Sequence, residues 1–150
     1  MKPEAELARR DPKLARLIAR VGPFPIKAGA LVRPLDALAR SITYQQLSGK
    51  AAGTIFGRVQ KLFPGRKWFS AELILATPDE SFRGAGLSRA KTAAIKDLAA
   101  KTLDGTVPKH SALTRMSDEE SIARLTSVRG IGRWTVEMLL LFHLCRLDVW

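Results

Sequence analysis

Cysteine is all but missing from this chain. Cys145 is the only one among 150 residues, which excludes an internal disulfide and any zinc site built on clustered thiolates, and removes the argument for an oxidising compartment. A lone thiol of this kind reads as a small buried hydrophobe. Histidine is almost as scarce: His110 and His143 stand apart, so no transition-metal pattern forms, and His143, set in an apolar stretch, reads as a core residue rather than a ligand. Long hydrophobic runs are lacking too. The run from Met138 to Leu144 falls far short of the roughly 20 apolar residues that cross a bilayer, and the N-terminus Met1-Lys-Pro-Glu-Ala-Glu6 is charged where a signal peptide is apolar. The expectation is a cytoplasmic chain without a membrane partner. No internal repeat, low-complexity tract or dividing linker is visible, so residues 1–150 read as a single domain.

Acidic residues are in deficit. Fourteen Asp and Glu face 25 Lys and Arg, a formal charge of +11 with a pI near 10.5, which implies attraction to a polyanion. Nucleic acid is the commonest such partner, although an anionic membrane or a ribosome fits the charge equally well. With 46% hydrophobic residues there is apolar material for a core.

No segment alternates as a strand would, and the punctuation is helical throughout, so the fold class is all-α. Asp11-Pro12 reads as an N-cap with proline at the first helical position, leading into Leu14, Leu17, Ile18 and Val21 at helical spacing. Gly22-Pro-Phe-Pro25 is a breaker. Leu35, Leu38, Ala39, Ile42 and Gln46 then follow the three-four rhythm of a helix with one buried face, and Ser48 or Gly49 starts another helix through Ile55, Val59 and Leu62, closed by Pro64-Gly65. Thr77-Pro-Asp-Glu80 and Ser117-Asp-Glu-Glu120 both have the form of capping boxes. Ser88 caps a helix running to Leu103 and ended by Asp104-Gly105. The last helix, over 133–146, is apolar nearly all round, which predicts burial on every side. The sequence stops straight after it, so the expectation is that closing C-terminal helices are missing and that a further C-terminal segment or a second chain covers it.

The segment Leu125-Thr-Ser-Val-Arg-Gly-Ile-Gly-Arg-Trp-Thr-Val136 carries the most chemistry, and predicts a helix-hairpin-helix over 117–146. Gly130 and Gly132 can take backbone conformations closed to other residues, and a phosphate can approach amides that no side chain covers. Free N–H groups at the start of the next helix, with its dipole, favour an anion, and Arg129 and Arg133 bracket that point with charge. An ordinary C-cap glycine followed by a turn would leave the same Gly-x-Gly.

Val128-Arg-Gly-Ile-Gly-Arg-Trp-Thr135, taken with Ser41-Ile-Thr-Tyr-Gln-Gln-Leu-Ser-Gly-Lys-Ala-Ala52 and Gly86-Leu-Ser-Arg-Ala-Lys91, resembles the helix-hairpin-helix superfamily of base-excision DNA glycosylases. The resemblance is nearest to the 3-methyladenine DNA glycosylase II branch, which removes alkylated bases. The three motifs stand in the family's order and span nearly the whole chain. The resemblance implies double-stranded DNA with a damaged base as partner, bound by Gly130, Gly132, Arg129, Arg133 and Thr135. Gln46 falls at the position of the wedge that fills the gap left by an extruded nucleotide, and Ser88 is a second contact in the opened duplex, or simply an N-cap. Trp134 would line the base pocket by stacking and cation–π attraction, or pack in the core. Trp134 also stands where relatives with lyase activity carry a Lys nucleophile, which implies a monofunctional hydrolase. No cofactor is required by the resemblance, but main-chain carbonyls of Thr126, Val128 and Ile131 would hold a monovalent cation, Na+ or K+, at the hairpin. The remaining basic residues, including Lys50, Arg58, Lys61, Arg66, Lys67, Arg89 and Lys91, would add phosphate contacts or simply be solvated.

One departure qualifies the match. The family's catalytic Asp lies beyond an Asp-Val-aromatic stretch that here is Asp148-Val149-Trp150, and Asp148 itself sits several residues too early, so the resemblance implies no catalytic residue within 1–150. Two other functions stay open on the sequence: a non-catalytic helix-hairpin-helix module that binds DNA backbone, and a basic RNA-associated helical protein.

Overall fold

The computed structural model describes residues 3–22, 33–146, 148 and 149. Pro23, Phe24 and Pro25 of the breaker, and Trp150, lie outside them. The described residues form α1 (Pro3–Arg10), α2 (Pro12–Val21), α3 (Pro34–Tyr44), α4 (Gly49–Lys61), α5 (Ala71–Ala76), α6 (Asp79–Gly84), α7 (Arg89–Leu103), α8 (His110–Leu113), α9 (Asp118–Leu125) and α10 (Arg133–His143), with no strand among them. No described helix is long and apolar enough to cross a membrane.

Side-chain caps account for five of the ten described helix starts. Asp11 accepts the amides of Lys13 at 2.7 Å and Leu14 at 3.3 Å, with Pro12 at the first position of α2, where its missing N–H leaves no bond unmade. Ser48, Ser70 and Ser88 cap α4, α5 and α7 by accepting the amides of Ala51, Leu73 and Lys91. At α9 the capping box is complete: the Ser117 amide donates to Glu120 Oε2 at 2.8 Å, and the Glu120 amide to Ser117 Oγ at 3.2 Å.

α7 is the central strut of the core. Ala94, Ile95, Leu98 and Ala99 on one side of it are buried at 2% exposure or less, and their small and branched side chains pack against α3 and α5. α3 turns Leu35, Leu38, Ala39 and Ile42 into the same cluster. Edge-to-face contacts carry the core outward, with Phe56 and Phe69 centroids 5.8 Å apart and Phe63 and Phe69 5.7 Å apart, the geometry that aromatic quadrupoles prefer.

Four details depart from the sequence reading. α3 ends at Tyr44, so Gln46 is not on its buried face. It lies exposed in the connection to α4 with a left-handed φ of +56°, because only three residues separate the end of α3 from the Ser48 cap and the chain must reverse within them. Thr77 does not start a helix: its hydroxyl donates back to Leu73 O at 2.7 Å, at the end of a short α5 that periodicity did not reveal, and α6 begins at Asp79 with no side-chain cap. α10 stops at His143, after which Cys145 takes φ +53° and the Arg146 amide returns to Leu140 O. The Arg146 guanidinium pairs with Asp118 and donates to Leu113 O and Met116 O, tying the segment after α10 to the start of α9.

The last departure concerns burial. Val136, Leu139 and Leu140 of α10 are enclosed, but Trp134 is 66% and Phe142 51% exposed, with Met138 and Leu141 intermediate. Positions 134, 138, 141 and 142 lie one and two turns apart on one side of the helix, so α10 has an uncovered apolar face among the described residues rather than burial on all sides. His143 is half-buried, and that burial, helped by the Arg40 charge, pushes its pKa down.

The two serine/threonine motifs separate in a stability test. Ser117→Ala should lower stability by about 1 kcal/mol, the usual effect of losing an N-cap, whereas Thr77→Ala should lie within about 0.5 kcal/mol of the parent, as surface changes do. Urea unfolding of both variants checks this; equal losses would restore the Thr77 capping box.

Candidate nucleic-acid interface

α9 and α10 are joined by a loop that two apolar side chains pin down: Val128 and Ile131 are 1% and 5% exposed. The Ile131 amide closes the turn on Val128 O at 3.1 Å. Gly130 has φ +77°, a conformation unfavourable for side-chain-bearing residues, and a Cβ there would sit 3.4 Å from Ala94 of α7. Gly132 needs no such freedom, contrary to the sequence expectation: its φ is −95°, open to any residue, and a Cβ there would meet nothing within 4 Å. What glycine provides at 132 is an uncovered backbone on the solvent side.

The amides divide accordingly. Arg129 donates to Asp97 Oδ2 at 2.7 Å, Ile131 serves the turn, and Thr135 and Val136 return to Gly132 O. Those of Gly130, Gly132, Arg133 and Trp134 have no acceptor among the described residues, and all four residues are exposed. The free donors therefore include both glycines of the pattern and run on into the N-terminus of an 11-residue helix, where dipole and free N–H groups act together on an anion.

α7 holds this loop and the Gln46 turn at once. Asp97 Oδ2 takes, besides the Arg129 amide, the Lys101 ammonium at 2.8 Å, and Lys101 also reaches Ser127 O. One turn inside the Ser88 cap, Lys91 Nζ donates to Thr43 O at 2.8 Å and Gln45 O at 2.6 Å. Gln45 Nε2 in turn donates to Gly130 O at 2.8 Å across 85 positions of sequence. The Ser88 turn, the Gln46 turn and the hairpin, the three motifs of the sequence, are thus linked by named hydrogen bonds.

The candidate side chains fall into distinct settings. Gln46, Ser88, Arg129, Arg133 and Trp134 are exposed. Trp134 is therefore no part of the core. Thr135 is buried at 9%, beneath the row of free amides. Arg129 has no side-chain partner among the described residues, while Arg133 bridges Glu119 at 2.5 Å and Glu137 at 2.9 Å. The Arg133 guanidinium holds the Glu119 carboxyl below its usual range. Exposed pairs of this kind contribute little and exchange readily for another anion. Lys91 is not free to meet a phosphate, because two carbonyls hold it and burial pushes its pKa down. Of the proposed cation carbonyls, that of Val128 already accepts the Ile131 amide, and those of Thr126 and Ile131 accept nothing among the described residues. This all-oxygen set suits a hard cation and no transition metal, and the described residues contain no group of three His, Cys, Asp or Glu placed to hold a metal. Asp148 is exposed.

Asp97, Lys101 and Gln45 escaped the sequence reading. The Asp97 and Lys101 pair has the i, i+4 spacing of a helical ion pair and was legible as that. Nothing local announces Gln45, whose partner lies in another motif.

An all-helical body with an open row of amides at a hairpin, adjoined by a strained and exposed turn, is the architecture of a helix-hairpin-helix protein. No family model matches the chain, but individual proteins do. DNA-3-methyladenine glycosylase 1 of Schizosaccharomyces pombe is 38% identical over 99% of the chain, which spans 65% of that protein's length. The solved structure of the 3-methyladenine DNA glycosylase (Mag1) from that organism, in complex with abasic DNA, superposes with a TM-score of 0.85 at 37% identity, covering 100% of this chain and 73% of that one. A DNA-3-methyladenine glycosidase from Bacillus halodurans gives a TM-score of 0.87 at 33% identity, over 99% and 67%. The chain belongs to the 3-methyladenine DNA glycosylase family.

Two measurements check the geometry. Gly130→Ala should destabilise the fold by about 1–2 kcal/mol, the penalty of a left-handed residue with a Cβ, while Gly132→Ala stays within about 0.5 kcal/mol; matching losses would contradict the asymmetry. For Asp97, burial works to raise the pKa, but the Arg129 amide and Lys101 outweigh it and hold the carboxyl below its ordinary value. A depressed carboxylate adds stability that is fully present above the unfolded pKa, about 4, and is lost as pH falls through the folded value. Asp97→Asn should therefore be less stable than the parent at pH 7, with the difference narrowing as pH falls below about 4, as read by urea midpoints from pH 7 downward.

Proposed function

We propose that this protein is a DNA glycosylase acting on alkylated bases of the 3-methyladenine type. The observation that supports it most is the row of exposed, acceptor-free amides at 130 and 132–134, tethered through Gln45 to the turn that carries Gln46. On this reading duplex DNA containing a damaged base is seated by its phosphates on that row. Arg129 adds charge, and Arg133 joins it when a phosphate displaces a carboxylate partner. The damaged nucleotide is turned out of the stack, because the bond to be cut is inaccessible within the duplex, and Gln46 fills the space it leaves. Ser88 contacts the opened duplex. Trp134 stacks against the extruded base, whose alkylation gives it positive charge and attracts it to an aromatic face. Water then adds to the sugar carbon as the bond to the base breaks, with a carboxylate stabilising the positive charge that develops on the sugar. An indole at position 134 provides no amine for a Schiff base, so the reaction is hydrolysis alone. A monovalent cation on the Thr126, Val128 and Ile131 carbonyls would bring positive charge to the same backbone phosphate.

The carboxylate is where a second reading gains support. Glu137 is paired with Arg133 and Asp148 is exposed, and by family resemblance the catalytic Asp belongs after residue 150. On that second reading the chain binds the DNA backbone without chemistry.

Fluorescence anisotropy with duplexes carrying an abasic-site analogue should show tighter binding than to the undamaged duplex, with the logarithm of affinity falling against that of salt by about 0.9 per phosphate neutralised. Gly132→Ala keeps the amide but sets a Cβ on the uncovered backbone where a phosphate would approach, and should weaken binding by about tenfold, the scale of one hydrogen bond to a charged group, without loss of fold. Release of 3-methyladenine or 7-methylguanine should require a form that carries the family's Asp beyond residue 150. No release from that form supports the module, and preference for structured RNA over abasic duplex would favour the RNA-associated alternative.

A further inference from the structure

Gln46 is held in a conformation that few side-chain-bearing residues adopt, with φ +56°, at a price in stability of about 1 kcal/mol or more. Such a residue relaxes unless its neighbours over-determine it. Here they do so from two directions. Beneath the turn, Lys91 Nζ bonds the carbonyls of Thr43 and Gln45, which are acceptors left open as α3 ends. Beside it, the Gln45 amide reaches Gly130 O, and the preceding residue, Arg129, donates its amide to Asp97 of α7, the helix that carries Lys91. Lys91, Gln45 and the hairpin anchored on Asp97 therefore close a loop of contacts around the strained residue, in which the three bonds made by Lys91 and Gln45 all end on main-chain carbonyls.

From this closed circuit we infer that Lys91 and Gln45 are positioning residues that fix the wedge turn, 44–48, relative to the hairpin, 129–133, so that opening of the duplex and seating of its phosphate occur in register. The inference rests on the glycosylase reading above. Neither residue touches the nucleic acid in this role. Lys91, which charge alone would assign to a phosphate, acts through the backbone it holds, and Gln45 does work distinct from that of the identical residue beside it. Loss of either tether leaves the core intact, since Gln45 and Lys91 are only half-buried, but lets Gln46 leave its left-handed conformation and the two loops move independently.

The test uses the chain with Gln45→Ala, Gln45→Glu, Lys91→Met and Lys91→Arg, and two readouts. The first needs no DNA: deuterium uptake in 129–133 should rise in Gln45→Ala, although no residue of that loop is altered. Unchanged uptake there overturns the tether. The second compares an abasic-analogue duplex with an undamaged one of the same length. The preference for the abasic duplex should fall about tenfold in Gln45→Ala, Gln45→Glu and Lys91→Met, the scale of one hydrogen bond to a charged or desolvated group. Affinity for the undamaged duplex should be unchanged in Gln45→Ala and should fall in Lys91→Met only by the effect of the lost charge. Lys91→Arg, which can still donate to both carbonyls, should keep most of the preference. A parent preference that survives Gln45→Ala and Lys91→Met intact overturns the positioning role while the glycosylase reading stands. A parent chain with no preference defeats that reading and the role with it, and raised uptake in 129–133 would then report only a mechanical link.

Discussion

Asp97 Oδ2 occupies the position from which the hairpin is controlled. By accepting the Arg129 amide and the Lys101 ammonium, it fixes the chain on the near side of Gly130, where the backbone must turn left-handed. With Arg129 anchored and Ile131 bonded inside the turn, the following amides emerge at the start of α10 with no acceptor in reach. The pattern of satisfied and unsatisfied donors is thus set from α7, an element outside the hairpin. Most backbone N–H groups in a folded chain find a partner, whereas those of 132–134 have none among the described residues and stand exposed in consecutive order at one helix end. The buried side of the same helix, Val136, Leu139 and Leu140, keeps that end rigid, because rotating it would expose the apolar surface that holds α10 against α9 and α3.

Charge takes on a different meaning once the contacts are known. A formal +11 suggests a broad cationic surface, but the structure sorts its members. Lys91 and Lys101 are structural, bonded to carbonyls of neighbouring segments. Arg146 binds the loop ahead of α9, and Arg133 is shared between carboxylates. Lys50, Arg58, Lys61, Arg66, Arg89 and Arg129 are among the exposed cations with no ion pair among the described residues, and such cations are left for long-range attraction. Net charge therefore describes how strongly a polyanion is drawn in, and hydrogen bonding describes which cations hold the protein together.

The sequence made the helices legible wherever a cap carried a local signature. Asp11-Pro12, Ser48, Ser88 and the Ser117 box each place an oxygen where the first free amides need it, and each appears in the structure. Thr77 misled because a hydroxyl followed by Glu three residues on can equally end the preceding helix, and α5 is too short for periodicity to show. The extended α3 failed at Gln46 for a related reason: apolar spacing says where a helix faces, not where the chain must turn to meet its next cap. Gly130 and Gly132 looked alike as letters, and only φ and the neighbouring Ala94 distinguish a conformational need from a need for open space. The all-round apolar pattern of α10 identified a helix with more apolar surface than a single neighbour can cover, but not which side stays open. Of the candidate site, the motifs picked out exposed positions except at Thr135, which is buried. The tethers that align them, Gln45 to Gly130 and Lys91 to Thr43, join segments distant in sequence and carry no local signal.

The left-handed backbone at position 46 has a consequence for how this turn can change over time. Glycine or asparagine would occupy that conformation with less strain, so drift governed by thermal robustness alone would carry the position toward a short side chain. If Gln46 is the wedge proposed above, its long, flexible amide is kept for its reach rather than for folding, a trade-off of the kind found where activity and stability pull apart. On that proposal, position 46 is a place where a laboratory lineage selected for heat tolerance and one selected for repair would diverge early.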